Sequence, residues 1–267
     1  MIKTYYYVHT GHRIGLDRFR RAAAILNQLD EDITLLTSDY RIAQISKDFS
    51  IEKSVGVDVV RNIPQIANNG DKLIFDSDEA NPIMLEDMKH YFSKFYHVQN
   101  DTIVVDKKYF LSKNFIKNVE LSYFFGDDDY EKDLEKNLDF IYELNPKLQL
   151  GFYYFLDYED MLKKKFINYF EFEEYDEMII SSKILVTSSP QAVLENLAAG
   201  GKPIYIQRED YVEDFNLIFE NFGIPIIKNY DKKQLLNLID NISNIKYDNF
   251  TQSSNKTVKF IKETLNL

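Results

Sequence analysis

Two hydroxyls and a carboxylate stand close together in the stretch 181–207, SSKILVTSSPQAVLENLAAGGKPIYIQ. Ser188 and Ser189 come directly before Pro190, which suits the first turn of a helix because its missing N–H needs no partner there. Ser189 is therefore the predicted N-cap. Free backbone N–H groups, two hydroxyls and the positive end of a helix dipole can together seat a phosphate group.

Glu195 is the charged residue inside this small and apolar predicted helix. Two interpretations stay open: the carboxylate contacts a ligand held at the helix start, or it is merely solvated. Apolar runs at 184–186 and 204–206 flank the helix and predict two buried parallel strands. The turn that carries Ser188 and Ser189 then lies at the carboxyl end of the first strand, where open α/β sheets bind ligands.

A second group of chemically capable residues follows the first predicted strand, 2–9, in the loop TGHRIGL. Histidine is the side chain that titrates nearest to neutral pH, so His12 could deprotonate a hydroxyl or a water. Asp17, at the predicted helix start, is the other candidate base, although a carboxylate at a helix N-terminus is the weaker one. The alternative is that Asp17 only caps the helix and that His12 is an exposed loop residue.

Further candidate ligand contacts lie in the same loop, in the helix that follows it and after two other strands. Arg18 and Arg21 belong to a basic cluster that could bind a phosphate or a sugar acid, or form a solvated face. An acidic run, Asp76 to Glu79, ends the strand 72–75, so that Asp76 is expected at the ligand edge of its sheet. Such a run could also hold a divalent cation, but Asp-x-Asp is frequent in loops and no metal site is predicted. The remaining candidates are Gly15, Gly126 and Asp129.

Strands and helices alternate along the whole chain, which predicts two α/β domains, 1–112 and 113–267. The pattern includes a strand at 102–105, an irregular interdomain connection at 106–117, a helix at 130–144 and a last helix at 251–265. With 45% hydrophobic residues, both halves can build a core.

Composition excludes several classes of function. The chain has no cysteine, so disulfides, zinc–thiolate sites and cysteine nucleophiles are excluded. A net charge of -11 without a dominant basic face argues against nucleic acid as a partner. No apolar run reaches membrane-spanning length, and the N-terminus is not typical of a signal peptide. We therefore expect a soluble, cytoplasmic protein.

The pattern Ser-Ser-x-x-x-x-x-Glu-x-Leu-x-x-Gly-Gly-x-Pro, followed by an apolar strand, resembles the nucleotide-binding half of GT-B glycosyltransferases. It is most similar to the group that contains the N-acetylglucosaminyl transferase of peptidoglycan synthesis and the nucleotide-sugar hydrolase of the pseudaminic-acid pathway. The resemblance implies that Ser188 and Ser189 meet the diphosphate of a nucleotide-sugar and that Glu195 holds its ribose.

Two motifs of that group are incomplete in this chain. The hydrolases carry Gly-x-Gly-His-x-x-Arg after the first strand. Alignment on Gly11 and His12 keeps the proposed base, whereas alignment on Gly15 puts Arg18 at the histidine, and an arginine cannot act as a base. The Gly-Gly-x-Asp motif is matched by Gly126 and Asp129, with Asp127 at the second glycine, where a carboxylate opposes an anionic ligand.

The resemblance implies two Rossmann-like domains that face each other across a cleft. The implied activity is transfer of a glycosyl unit from a UDP-sugar to an unknown glycan or small-molecule acceptor, or its hydrolysis, in bacterial surface-glycan biosynthesis, without a cofactor. The alternative is a non-catalytic binding or assembly protein with the same fold. A third class, a metal-dependent hydrolase, would use Asp76, Asp78 and Asp127.

Overall fold

The chain forms two compact units, each built on one parallel sheet. The structure, a computed structural model, describes residues 2–209, 215–251 and 256–267. Unit 1 comprises Met1–Asp106 and Asn255–Leu267, and unit 2 comprises Lys107–Ser254. The units divide six residues before the boundary predicted at 112/113, because the helix that begins at Lys107 belongs to unit 2.

The regular elements alternate as an α/β chain requires. The strands are β1 (Thr4–Val8), β2 (Ile33–Thr37), β3 (Ser54–Gly56), β4 (Lys72–Asp76), β5 (Lys94–His97), β6 (Val119–Phe124), β7 (Lys147–Gln149), β8 (Tyr169–Phe170), β9 (Ser182–Thr187), β10 (Lys202–Ile206) and β11 (Ile226–Ile227). The α-helices are α1 (Asp17–Leu29), α2 (Tyr40–Ile45), α3 (Pro82–Tyr91), α4 (Lys107–Leu111), α5 (Asp133–Lys136), α6 (Leu156–Lys165), α7 (Tyr175–Ser181), α8 (Pro190–Ala198), α9 (Asn216–Asn221), α10 (Lys232–Asp240) and α11 (Lys256–Leu265). Short 3₁₀ turns cover Ser46–Phe49, Val60–Gln65, Leu138–Phe140, Tyr142–Leu144, Phe172–Glu174 and Ile242–Asn244.

Unit 1 contains a five-stranded sheet in the order β3-β2-β1-β4-β5, and every pairing in it is parallel. All five residues of β1 are buried. Because successive side chains of a strand point to opposite faces, both faces of the central strand are covered. The tyrosines of β1 belong to this core: Tyr5 and Tyr7 pack with Leu73 and Phe75 of β4.

Unit 2 contains a six-stranded parallel sheet in the order β11-β10-β9-β6-β7-β8. The predicted strand–helix–strand unit in 181–207 is confirmed as β9, α8 and β10. The nine residues of α8 are all buried, because the helix is enclosed as well as packed on the sheet. Gly200, with φ at +83°, ends it as predicted.

The last helix, α11, packs on α1 and β5 and therefore completes unit 1. The helix was predicted from residue 251, and residues 252–255 lie outside the described part of the chain, so its start is given as Lys256.

Two predicted elements are wrong. No strand forms at 102–105: the carbonyl of Thr102 instead accepts a hydrogen bond from the Arg21 guanidinium, at 2.5 Å. The helix predicted over 130–144 is reduced to α5, Asp133–Lys136, and the chain continues as the 3₁₀ turns Leu138–Phe140 and Tyr142–Leu144. The segment 106–117 was predicted to be irregular, but it contains α4.

No helix in the described ranges is both long enough and apolar enough to cross a membrane.

Candidate functional site

The order of strands reverses once in each sheet. In unit 2 the chain builds outward from β6, first through β7 and β8 and then on the other side through β9 to β11. Ligands bind open parallel sheets at the carboxyl edge of such a reversal. β6 and β9 are neighbours there, with Phe124 opposite Thr187. The predicted residues Gly126, Ser188 and Ser189 directly follow these two strands and are therefore brought to one edge.

Ser189 is the N-cap of α8, as predicted. Its Oγ accepts a hydrogen bond from the backbone N–H of Ala192, at 3.1 Å, and its own N–H donates to Thr187 Oγ1, at 3.0 Å. Ser188 donates its N–H to the carbonyl of Phe124, at 3.2 Å, which ties the turn to β6.

The hydroxyl of Ser188 differs from that of its neighbour. The residue is fully buried, and its Oγ has no hydrogen-bond partner among the residues that the structure describes. A buried hydroxyl without a partner is destabilising by about 1–3 kcal/mol. Its position at a helix N-terminus, on the reversal edge of the sheet, is where an anionic group would satisfy it.

Glu195 is enclosed within unit 2, so the interpretation that it is solvated is wrong. The side chain is 2% exposed. Oε2 accepts a hydrogen bond from the Tyr175 hydroxyl, at 2.7 Å, and Oε1 accepts one from Gln191 Nε2, at 2.8 Å. Neither partner was predicted. Tyr175 in particular is twenty residues away from Glu195 in the chain.

The turn after β6 carries three buried carboxylates. Asp127, Asp128 and Asp129 are 2%, 4% and 4% exposed. The Asp129 carboxylate accepts hydrogen bonds from the N–H groups of Asp133 and Leu134, at 2.7 and 3.1 Å, and thereby caps α5 as predicted for this run of aspartates. Burial raises the pKa of Asp129, against the lowering effect of these bonds.

Two residues that were not predicted shape this turn. Gly151 approaches it so closely that an added Cβ would lie 2.5 Å from the carbonyl oxygen of Gly126. Arg208, which follows β10 and is 5% exposed, donates to the carbonyl of Asp128, at 2.9 Å, and stacks its guanidinium over the Phe125 ring, 4.4 Å from the centroid. Arg208 therefore brings a positive charge to the acidic turn.

In unit 1 the reversal lies between β1 and β4. The loop after β1 is closed by Gly15, whose N–H donates to the carbonyl of Gly11, at 2.9 Å, and whose φ of +72° favours glycine. His12 is exposed on this loop. Leu16, not Asp17, is the N-cap of α1, so Asp17 lies in the first helical turn and does not cap the helix.

The two predicted arginines of α1 are bound to acidic residues of the β4 edge. Arg18 Nη1 donates to Asp78 Oδ1, at 2.7 Å. Arg21 forms a bidentate pair with Asp76, which is fully buried and also accepts a bond from the Tyr6 hydroxyl, at 2.8 Å. Arg21 and Asp76 therefore hold α1 against β4. Asp76 ends β4 at the carboxyl edge of the sheet, but its carboxylate is buried in this ion pair.

The same edge brings together residues that were not predicted as a group. His9 follows β1 directly, and its Nδ1 lies 3.2 Å from Asp78 Oδ1. The signal that could have found them is the rule of strand-order reversal, once β1 and β4 are known to be neighbours. In the described part of the chain, no group of three or more metal-binding side chains comes together.

The fold has counterparts among solved structures, although no protein-family model and no curated protein matches the sequence. The Anabaena protein HepE in complex with UDP-glucose is similar with a TM-score of 0.58 and 10% identity, over 100% of this chain and 98% of that one. UDP-GlcNAc 2-epimerase of Methanocaldococcus jannaschii, in complex with UDP-GlcNAc and UDP, has a TM-score of 0.55 and 10% identity, over 98% and 100% of the two chains. A glycosyltransferase of Rickettsia africae has a TM-score of 0.52 and 12% identity, over 99% and 95%. At such identities the similarity concerns the fold: two Rossmann-like domains of the GT-B type.

Proposed function

We propose that the protein binds a nucleoside diphosphate sugar and transfers its glycosyl unit to a hydroxyl, either of an acceptor or of water. The observation that carries this proposal is the buried Ser188 hydroxyl, which has no partner among the described residues and lies beside the N-terminus of α8. A diphosphate oxygen would supply the missing partner, and the helix dipole would favour its negative charge.

The other contacts to the nucleotide-sugar would come from residues at the same edge of unit 2. We assign the diphosphate to Ser188, Ser189 and Gly126, and the ribose hydroxyls to the carboxylate of Glu195, as the sequence resemblance implies. Asp129 acts on the donor only through the turn that it caps. Charge that develops on the departing diphosphate would be stabilised by backbone N–H groups and the helix dipole.

We also propose substrate contacts at the carboxyl edge of the unit 1 sheet. The loop of His12 and Gly15 and the first turn of α1, with Asp17 and Arg18, carry the polar side chains of that edge. Arg21 and Asp76 would contribute by holding α1 in place. The choice of a UDP-sugar is supported by the fold shared with proteins solved with UDP-glucose and UDP-GlcNAc. A role in bacterial surface-glycan biosynthesis is supported by the sequence resemblance.

One observation favours a second candidate, a GT-B-like binding protein without catalysis. Asp127 is buried at the position where the resembling enzymes carry their second glycine, and Asp128 is buried next to it. Carboxylates there repel a diphosphate unless a cation such as Arg208 compensates them. The two candidates differ in one measurable respect, since a binding protein would retain UDP-glucose without releasing UDP.

The test is the affinity for UDP by calorimetry, in wild type, S188A and S181A. Ser181 is a matched control, because its Oγ is also buried without a partner among the described residues but precedes β9 instead of following it. Loss of a hydrogen bond to a charged group should weaken binding about 10- to 100-fold in S188A and leave S181A unchanged. Absence of UDP binding in wild type would refute the proposed function. Equal UDP affinity of wild type and S188A would show that Ser188 does not contact the diphosphate.

A further inference from the structure

One face of the unit 1 sheet has a thin cover. Tyr5 and Tyr7 of β1 and Phe75 of β4 pack on this face against the segment 57–67 and against α3. The segment 57–67 contains the six-residue 3₁₀ turn Val60–Gln65, in which Pro64 lacks the N–H that an α-helix would use. Because both faces of a parallel sheet are normally covered by helices, this turn and the ten-residue α3 leave part of the cover incomplete.

A groove of about 380 Å³ lies between the 3₁₀ turn and α3, and all of its lining residues belong to unit 1. The apolar part of the lining includes Val60, Ile63, Met84, Met88, Tyr91 and Phe92. Ile63, Met88 and Phe92 are buried and belong to the core of this face of the sheet. The groove therefore reaches from the surface to the core.

Ile83, the second residue of α3, lines this groove but does not fill it. Its side chain is 76% exposed. Single exposed apolar side chains are ordinary on protein surfaces, whereas apolar surface that is contiguous with an open groove is typical of an interaction site. The same surface thus presents both an apolar groove and an apolar side chain that can enter one.

The two walls of the groove carry opposite charges. Arg61 lies on the 3₁₀ turn and Asp87 on α3, and both are exposed. Neither side chain forms a hydrogen bond or an ion pair within the ranges of the chain that the structure describes. Each copy in a twofold-symmetric pair contributes the same surface, so Arg61 of one copy can face Asp87 of the partner subunit at two equivalent contacts. The surface is complementary in charge to itself, whereas an apolar small molecule would leave both charges unpaired.

We infer that this groove is the interface of a symmetric dimer. Ile83 of each copy enters the groove of the other copy and covers apolar lining that is open in the single chain. Arg61 of each copy pairs with Asp87 of the partner subunit at the rim, which fixes the orientation of the two copies more than it adds affinity. The inference is independent of the proposed function, because none of these residues belongs to the proposed substrate contacts.

The first test is the mass in solution, measured by sedimentation equilibrium. The chain has a mass of 31.6 kDa, so wild type should sediment with twice this mass at micromolar concentration. I83D places a charge in the apolar groove and should weaken dimerisation about 10- to 100-fold. Aspartate is favourable in the first turn of a helix, so the I83D monomer should keep its fold. I116D is the matched control, since Ile116 is 88% exposed but lies in unit 2, outside the groove.

The second test reverses the two charges. R61E and D87R each place like charges opposite one another at both contacts, so each variant alone should sediment as a monomer where wild type is a dimer. In an equimolar mixture of the two variants, opposite charges face each other at both contacts, and a mixed dimer should form. A role of Arg61 and Asp87 within one chain would not produce this rescue.

The remaining outcomes would overturn the inference. A wild type that keeps a mass of 31.6 kDa up to millimolar concentration is one of them. A dimer that I83D leaves intact is another, because its interface then lies elsewhere, and a mixture of R61E and D87R that stays monomeric contradicts the pairing of the two charges. A monomeric wild type that enhances the fluorescence of anilinonaphthalene sulfonate, with the enhancement lost in I83D, would assign the groove to an apolar ligand instead.

Discussion

The guanidinium of Arg21 on α1 donates to both carboxylate oxygens of Asp76, the last residue of β4, and the two side chains are only 4% and 1% exposed. Removal of one partner would leave a buried charge without compensation. We expect R21M to lower the free energy of unfolding by about 3–5 kcal/mol, as measured by urea denaturation. K53M removes the exposed ion pair between Lys53 and Asp32, and should change the free energy of unfolding by less than about 1 kcal/mol. Similar effects of both substitutions would contradict a structural role for the buried pair.

Adjacent serines at the start of α8 should respond oppositely to truncation. S189A removes the N-cap hydrogen bond to Ala192 and should destabilise the protein by about 1 kcal/mol. S188A removes a buried hydroxyl that has no partner among the described residues, so the ligand-free protein should lose no stability and can gain some. Thermal and urea denaturation of both variants without ligand provide the measurement. A destabilised S188A would indicate that the hydroxyl has a structural partner in the free protein.

Replacement of Gly151 should disturb the turn after β6. An added Cβ would meet the Gly126 carbonyl oxygen at 2.5 Å and the Tyr154 ring at 2.6 Å. Because backbone must then shift, G151A should be destabilised by about 1–3 kcal/mol and should bind UDP more weakly. The control is G70A in unit 1, where φ is +88° but a Cβ would meet nothing within 4 Å. In G70A, the positive φ should lower the free energy of unfolding by about 1–2 kcal/mol, while the UDP affinity should stay at the wild-type value.

Buried tyrosines should make the protein sensitive to alkaline pH. Burial raises the pKa values of Tyr6, Tyr109, Tyr123 and Tyr154 well above the usual value of 10.0. In the unfolded chain these phenols ionise near pH 10, so their contribution to stability is fully present below that pH and is lost as pH rises above it. The free energy of unfolding should fall by about 1.4 kcal/mol per pH unit for each such tyrosine.

The measurement is urea denaturation at a series of pH values, with tyrosinate absorbance as a second probe. Ionisation of the buried phenols should coincide with unfolding. Y123F should reduce the slope of stability against pH above 10, whereas Y40F should not, since Tyr40 is 67% exposed and its environment changes little on unfolding. Tyrosinate absorbance that rises fully before unfolding would contradict the predicted pKa shifts.

Elements bounded by an N-cap residue, a proline or a glycine were predicted from the sequence. Ser189 and Pro190 mark the start of α8, and Gly200 marks its end, so that β9, α8 and β10 were found from the sequence. Asn81 and Pro82 form a similar start signal for α3, Pro82–Tyr91. In 130–144 the apolar pattern alone overestimated the helix, since the segment after Lys136 forms short 3₁₀ turns instead.

The sequence by itself determined the two-domain α/β class and the capped turn between β9 and α8, since both depend on residues that are neighbours along the chain. Only the tertiary structure decided which side chains of distant segments meet. Arg21 and Asp76 are 55 residues apart, and His9 and Asp78 are 69 apart. These pairs form because β4 crosses to the free side of β1, and nothing in the local periodicity of either strand specifies that order. The burial of Glu195 has the same origin, because α8 is covered by residues that its own pattern does not contain.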